Sequence, residues 1–234
     1  LRVIDCTTRE LKIVPPGNPY VALSYFWGDL SSNVEALQAR LPTQVPKTIE
    51  DSMIVTLALG MRYLWIDRYS INQTDPDEKH HLIRNMDKIY RGAELTIISC
   101  AGNSPSHGLP GVCGTSRRAQ TLMKIGSHTL ARVESVHREI QESKWFTRGW
   151  VQALLSRRCL VFTESQMYFQ CLGMTRLESL RGDPDFRKGA LPTSTSNWTI
   201  DEFQAQLPEY FKRELSHSGD ALNAFEGVVN HFRE

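Results

Sequence analysis

Along its first hundred residues the chain alternates between two hydrophobic periods. Tyr20–Trp27 (YVALSYFW) is a short aromatic and aliphatic run stopped by Gly28 and Asp29, the pattern of a buried strand. From Thr48 the apolar positions Ile49, Met53 and Leu57 recur at helical spacing, widened by Ile54 and Leu59, with Gly60 as the stop. Tyr63–Ile66 is again a short apolar run, and it ends abruptly at Asp67. Asp75-Pro76-Asp77-Glu78 then starts a helix: Asp75 can cap, Pro76 fits the first helical position, and Glu78 completes an acidic variant of the capping box. Its expected buried face is Leu82, Met86, Ile89 and Tyr90, with Gly92 just beyond. Glu94–Cys100 (ELTIISC) makes a third strand, ended by Ala101 and Gly102.

Strand, helix, strand, helix, strand with crossovers of this length predicts parallel strands in one sheet. Their carboxyl ends then share one edge, which brings together Trp27-Gly28-Asp29, Asp67-Arg68-Tyr69-Ser70 and Cys100-Ala101-Gly102. Open α/β sheets usually carry their functional groups on that edge.

The flanking segments are less regular. Residues 1–14 alternate weakly, as a strand or hairpin, before Pro15, Pro16, Gly17 and Pro19 break the chain. Ser31, Ser32 and Asn33 can cap a short helix through about Arg40. Leu122–Val133 suggests an antiparallel pair turning at Gly126-Ser127, and Trp145–Leu155 a short helix. Cys159–Thr163 and Met167–Cys171 suggest a hairpin turning at Glu164-Ser165-Gln166, with Arg157-Arg158 fixing it to the sheet. Arg181–Asn197 reads as a loop. Two helical patterns follow, one at Thr199–Leu215 and one from Ala221 that reaches Glu234 without a stop signal. With Leu1 in place of an initiator methionine, the expectation is a stretch of a longer protein.

Composition narrows the class. The 234 residues are 41% hydrophobic and 23% charged, a globular balance. Lys plus Arg (27) nearly equal Asp plus Glu (26), which gives no reason to expect a nucleic-acid surface. Five cysteines without a CxxC pair predict reduced thiols, mostly in the core, and a cytoplasmic location. No apolar run approaches the ~20 residues of a membrane span.

Several chemistries are poor fits. No zinc signature is present, and His80-His81 diverge by about 100° on a helix. His107, His128 and His137 have no ligand spacing. No GxGxxG, phosphate loop or nucleophile elbow occurs. The candidates lie at the strand ends. Asp67 and Asp29 can each orient a ligand hydroxyl, accept a proton, or cap the turn that follows. Trp27 and Trp65 can frame an aromatic ring or fill the core. Asn72 suits an Asx-type turn. Arg148, between Trp145 and Trp150 in Trp145-Phe146-Thr147-Arg148-Gly149-Trp150, can pair with an acid, grip a phosphate or stack on tryptophan as scaffold.

Several blocks in order resemble the fungal heterokaryon incompatibility (HET) domain: Tyr20–Asp29, Leu41–Asp51 (LPTQVPKTIED), Arg62–Asp75 (RYLWIDRYSINQTD), Glu78–Gly102, Gly108–Val112 (GLPGV), Phe146–Trp150 (FTRGW) and Leu155–Cys171. Asp220–Gly227 resembles a segment that often follows. The resemblance implies an effector of nonself recognition and programmed cell death, working beside an upstream sensor and self-associating. HET domains are considered similar to TIR domains. The implied fold is therefore α/β, a parallel flavodoxin-like or TIR-like sheet flanked by helices, with added antiparallel hairpins and C-terminal helices. Residues 1–176 would form the core and residues 177–234 a loop and helical extension.

Some TIR domains cleave NAD using a glutamate, while others are assembly scaffolds. On the first model no cofactor is required and NAD is the candidate substrate. Asp67 or Asp29 would be the acid, and Trp27, Gly28, Arg68, Asn72, Arg148 and Trp150 would line the site. On the second model the domain is a non-catalytic signalling or oligomerisation module. Two departures from the family pattern bear on this choice. The glutamate expected after Gln152 is Ala153, and Arg68-Tyr69-Ser70 stands where a small residue and a cysteine are usual.

Overall fold

A computed structural model describes residues 1–28, 38–132, 134–148, 152–179 and 191. In chain order the elements are β1 (Arg2–Asp5), β2 (Glu10–Ile13), β3 (Val21–Ser24), α1 (Lys47–Ala58), β4 (Tyr63–Ile66), α2 (Asp67–Ser70), α3 (Pro76–Arg84), α4 (Met86–Gly92) and β5 (Leu95–Ser99). They continue with β6 (Leu122–Ile125), β7 (His128–Ala131), α5 (Val136–Gln141), a 3-10 turn (Gln152–Leu155), β8 (Arg158–Phe162), β9 (Met167–Cys171) and β10 (Thr175–Leu177).

One eight-stranded sheet runs β10-β9-β8-β5-β3-β4-β1-β2, and β6-β7 stand apart as a two-stranded ribbon. Within the large sheet β4, β3, β5 and β8 are mutually parallel. Antiparallel strands extend it at both sides, β1 and β2 beyond β4, and β9 and β10 beyond β8. The fold is therefore mixed α/β, with the expected parallel centre.

Both faces of that centre are buried, as parallel strands require. On one face Val21, Leu23, Leu64, Ile66 and Ile97 pack with Ile49 and Met53 of α1. On the other, Ala22, Trp65, Ile98 and Val161 pack with Met86, Ile89 and Tyr90 of α4, Ile140 of α5 and Ala153. Tyr90 meets Trp65 edge-to-face at 5.4 Å, and the Tyr20 hydroxyl donates to the Ile89 carbonyl at 2.5 Å. Buried Ser52 and Thr56 satisfy themselves along α1 by donating to the carbonyls of Thr48 and Ser52. At the β1–β4 seam the buried Asp5 accepts from Arg62 (2.7 Å) and Lys12 (2.9 Å).

Two expectations need correction. The single helix after Asp75 is divided at Asn85. Asp75 does cap it, accepting from the amides of Asp77 and Glu78, with Pro76 at its start. At Asn85, however, the side chain donates to the His81 carbonyl at 2.8 Å and competes with the backbone ladder. As a result Leu82 is only half-buried, while Met86, Ile89 and Tyr90 are buried. Of the helix expected over Trp145–Leu155, the described residues show turns at 145–147 and a 3-10 turn at Gln152–Leu155, and residues 149–151 lie outside the described residues.

The hairpin expected at Cys159–Cys171 forms, and its first strand also joins the parallel set beside β5. Arg158 secures that junction by donating to the Glu94 carbonyl at 3.1 Å and its carboxylate at 3.0 Å. The expected β6–β7 pair forms and turns at Gly126-Ser127. The helix expected near Ser31 and both C-terminal helices lie outside the described residues, apart from the end of the former. Among the described residues no helix is long and apolar enough to cross a membrane, and the cysteines are free, with Cys6, Cys100 and Cys159 buried.

Candidate functional site

The carboxyl edge of the parallel strands assembles from segments far apart in sequence. β4 runs directly into the one-turn helix α2, so Asp67 opens that helix where its N–H groups are unpaired. The Arg68 amide donates to Asp67 Oδ1 at 2.8 Å. The Trp27 indole, arriving from the end of β3, donates to the same oxygen at 3.1 Å. The Arg68 guanidinium lies over the Trp27 ring at 5.6 Å and the Tyr69 ring at 6.0 Å, within cation–π range. Arg148 donates to the Tyr25 carbonyl, which ties the Phe146–Arg148 segment to the end of β3. Trp145 reinforces that tie with an indole donation to Ser24 Oγ at 2.8 Å, fully buried.

Asp67 is buried, and its carboxyl is pushed above the ordinary value by that burial. The positive charge of Arg148, the Arg68 amide, the Trp27 indole and the charge of Arg68 oppose the shift. Tyr25 is buried beside this group, and burial holds its hydroxyl well above the usual tyrosine range, reinforced by the Asp67 charge. Among the described residues the Tyr25 hydroxyl has no hydrogen-bond partner.

The sequence-predicted site residues are therefore only partly assembled. Asp67, Trp27 and Arg68 touch one another, and Arg148 acts on Asp67 through charge. Gly28 follows Trp27 with φ +61° and lies against the next strand loop. A Cβ there would stand 3.1 Å from Pro105 Cδ, so the close approach suits glycine. Asn72 forms an Asx-type turn, accepting from the Thr74 amide (3.2 Å) and hydroxyl (2.8 Å). Gln73 instead donates to the Asp67 carbonyl at 3.3 Å. Asp29 and Trp150 lie outside the described residues.

Two residues that the sequence does not mark as site candidates join this end of the sheet. Glu164 follows β8 much as Asp67 follows β4. One of its oxygens accepts from the Gly102 amide at 2.7 Å, and the other is 3.6 Å from His107 Nε2. Its sequence signal is an acid after an apolar strand, the same residues that mark the Glu164-Ser165-Gln166 turn. Asp51, on α1, is buried and holds the Gly108–Val112 loop. It accepts from the Leu109 amide at 2.8 Å, from Thr115 Oγ1 at 3.0 Å and from Lys47 Nζ at 2.9 Å. Gly108, at φ +88°, would bring a Cβ within 2.5 Å of that carboxylate. The LPTQVPKTIED and GLPGV blocks are thus two halves of one structural lock. Among the described residues no three His, Cys, Asp or Glu side chains gather as a metal site would require.

These features define an α/β protein whose parallel strands end in a buried acid clasped by tryptophan and arginine. It belongs to the heterokaryon incompatibility family: the family model described as heterokaryon incompatibility protein (HET) matches residues 20–152. The chain is also similar to heterokaryon incompatibility protein 6, OR allele, of Neurospora crassa. The two are 27% identical over 156 residues, a match covering 61% of this chain and 21% of that protein. The match thus spans about a fifth of the relative's length. No solved structure matches the chain.

Proposed function

We propose that this chain is the effector domain of a fungal incompatibility protein, converting nonself recognition into a cell-death signal by assembly with its own kind and with an upstream sensor. The observation that carries the proposal is the family match over residues 20–152, which contains β3, β4, β5 and the Asp67–Trp27–Arg68 cluster. Local geometry favours assembly over catalysis. Asp67 is buried, with Trp27 and Arg68 both bonded to Oδ1. Trp145 and Arg148 pack down on the end of β3. Ala153, standing where the family pattern has a glutamate, is fully buried in the core.

Expression of the chain in fungal cells, scored with a vital dye, tests the effector reading. Death above an empty-vector control is expected, and its loss in Trp27→Ala. Viability equal to the control at confirmed expression would refute the reading. Sedimentation across a concentration series tests assembly. A strictly monomeric chain that still kills would exclude it.

A catalytic route is favoured by one separate observation. The parallel strands lie in the order second, first, third, fourth, which supports a flavodoxin-like or TIR-like reading with a switch point between β3 and β5. In that reading NAD is cleaved at the nicotinamide–ribose bond, and oxocarbenium charge develops on the ribose. Asp67 would face that charge, with Arg148 near the pyrophosphate. Nicotinamide departs neutral, so no acid is needed for the leaving group. Nicotinamide release by purified protein, measured beside Asp67→Ala, is the test. Equal release from both proteins would remove Asp67 from catalysis.

A further inference from the structure

We propose that the β6–β7 hairpin is a docking element for a lipid surface rich in anionic headgroups. The inference is independent of how the strand edge acts.

The hairpin pairs Leu122 with Ala131, Met123 with Leu130, Lys124 with Thr129 and Ile125 with His128. Directly opposed residues share a face. Met123, Leu130 and Ile125 therefore lie on one face and Leu122 on the other. All four are more than half exposed: Leu122 64%, Met123 60%, Ile125 56% and Leu130 53%. Every residue of both strands is exposed. A two-stranded ribbon of this kind is marginal alone in water and gains stability when an apolar phase covers it.

Charge selects the occupant. Residues 95–133 contain Arg117, Arg118, Lys124 and Arg132 and no Asp or Glu. Arg117, Arg118 and Arg132 reach acids outside the hairpin, Glu178, Glu139 and Glu134. Lys124, next to the tip, has no ion pair among the described residues. A second copy would set Lys124 near its own equivalent, and residues 122–131 hold no acid to offset it. A flat protein surface would cover one face of the ribbon and leave either Leu122 or the Met123–Leu130 face in water. A lipid interface covers both faces at once, and anionic headgroups meet Lys124 beside the tip. Four-residue strands reach about 13 Å, enough for the ~5–10 Å depth of interfacial insertion.

The full chain is sedimented with vesicles of phosphatidylcholine and phosphatidylserine, and with phosphatidylcholine alone. Binding to the mixed vesicles is expected, weakening as salt is raised. Met123→Ser with Leu130→Ser should lower the partition coefficient at least about tenfold. Lys124→Glu should lower it about fivefold or more. These positions are exposed, so far-UV circular dichroism and melting should match the parent. Should the double variant misfold, Lys124→Glu and the salt series still decide the matter. No binding to the mixed vesicles, binding unchanged by the hairpin variants, or binding equally strong without phosphatidylserine would overturn the proposal. So would capture of a soluble acidic peptide by the hairpin in place of vesicles.

Discussion

Replacing Asp51 with alanine tests whether one carboxylate locks the Gly108–Val112 loop to α1. The deletion strips the Leu109 amide of its acceptor, and Leu109 is fully buried. An orphaned buried amide costs about 1–3 kcal/mol. The Thr115 hydroxyl loses a charge-assisted bond of about 1.5 kcal/mol. Lys47 is 37% exposed, so its ion pair adds only about 0.5 kcal/mol. Together these predict a loss of about 3–5 kcal/mol. In a chain of this length that lowers the melting temperature by about 10 °C. Asp51→Asn keeps an oxygen for the Leu109 amide and should lose roughly half as much. Gly108→Ala would push a methyl group against the same carboxylate and against Thr115, each within 2.5 Å. Combined with Asp51→Ala it should therefore cost less than the sum of the two changes, by about 1 kcal/mol. Thermal melts followed by circular dichroism measure all four proteins. An Asp51→Ala melt within ~2 °C of the parent, or strict additivity with Gly108→Ala, would refute the lock.

Three further outcomes are expected. Asp67 has a raised carboxyl pKa in the folded state, so its contribution is fully present below the unfolded value near 3.8 and is lost as pH rises through the folded value. Asp67→Asn keeps an acceptor for Trp27 and Arg68, so it should melt at or above the parent at neutral pH, with the difference vanishing below about pH 4. Trp145→Phe removes the indole donor to buried Ser24 Oγ, which keeps the Tyr90 hydroxyl beside it, and should cost about 1 kcal/mol by urea unfolding. Burial pushes the thiols of Cys6, Cys100 and Cys159 up to about 12. At pH 8 a thiol reagent should therefore label exposed Cys113 quickly in the native protein and reach those three only after denaturation.

Local sequence by itself determined three of the four parallel strands and the edge they share. The runs at Tyr20–Trp27, Tyr63–Ile66 and Glu94–Cys100 are short because each is a strand buried on both faces. The helical spacing from Ile49 and the cap at Asp75 set the crossovers between them. Period and punctuation are properties of neighbouring residues, so they can be read without a partner. The same holds for the Gly126-Ser127 turn and for Asp67 at a strand end. What only the tertiary structure decided is which distant groups meet. Nothing local says that β8 lies beside β5 and brings Glu164 to Gly102, or that the Trp27 indole bonds Asp67 at the end of the adjacent strand. Asp51 and Leu109 are 58 residues apart, and their bond exists because a buried amide in a loop must find an acceptor wherever the packed chain offers one. The break at Asn85 has a like cause: its side chain could continue the helix or bond back to His81, and the packed structure took the second course.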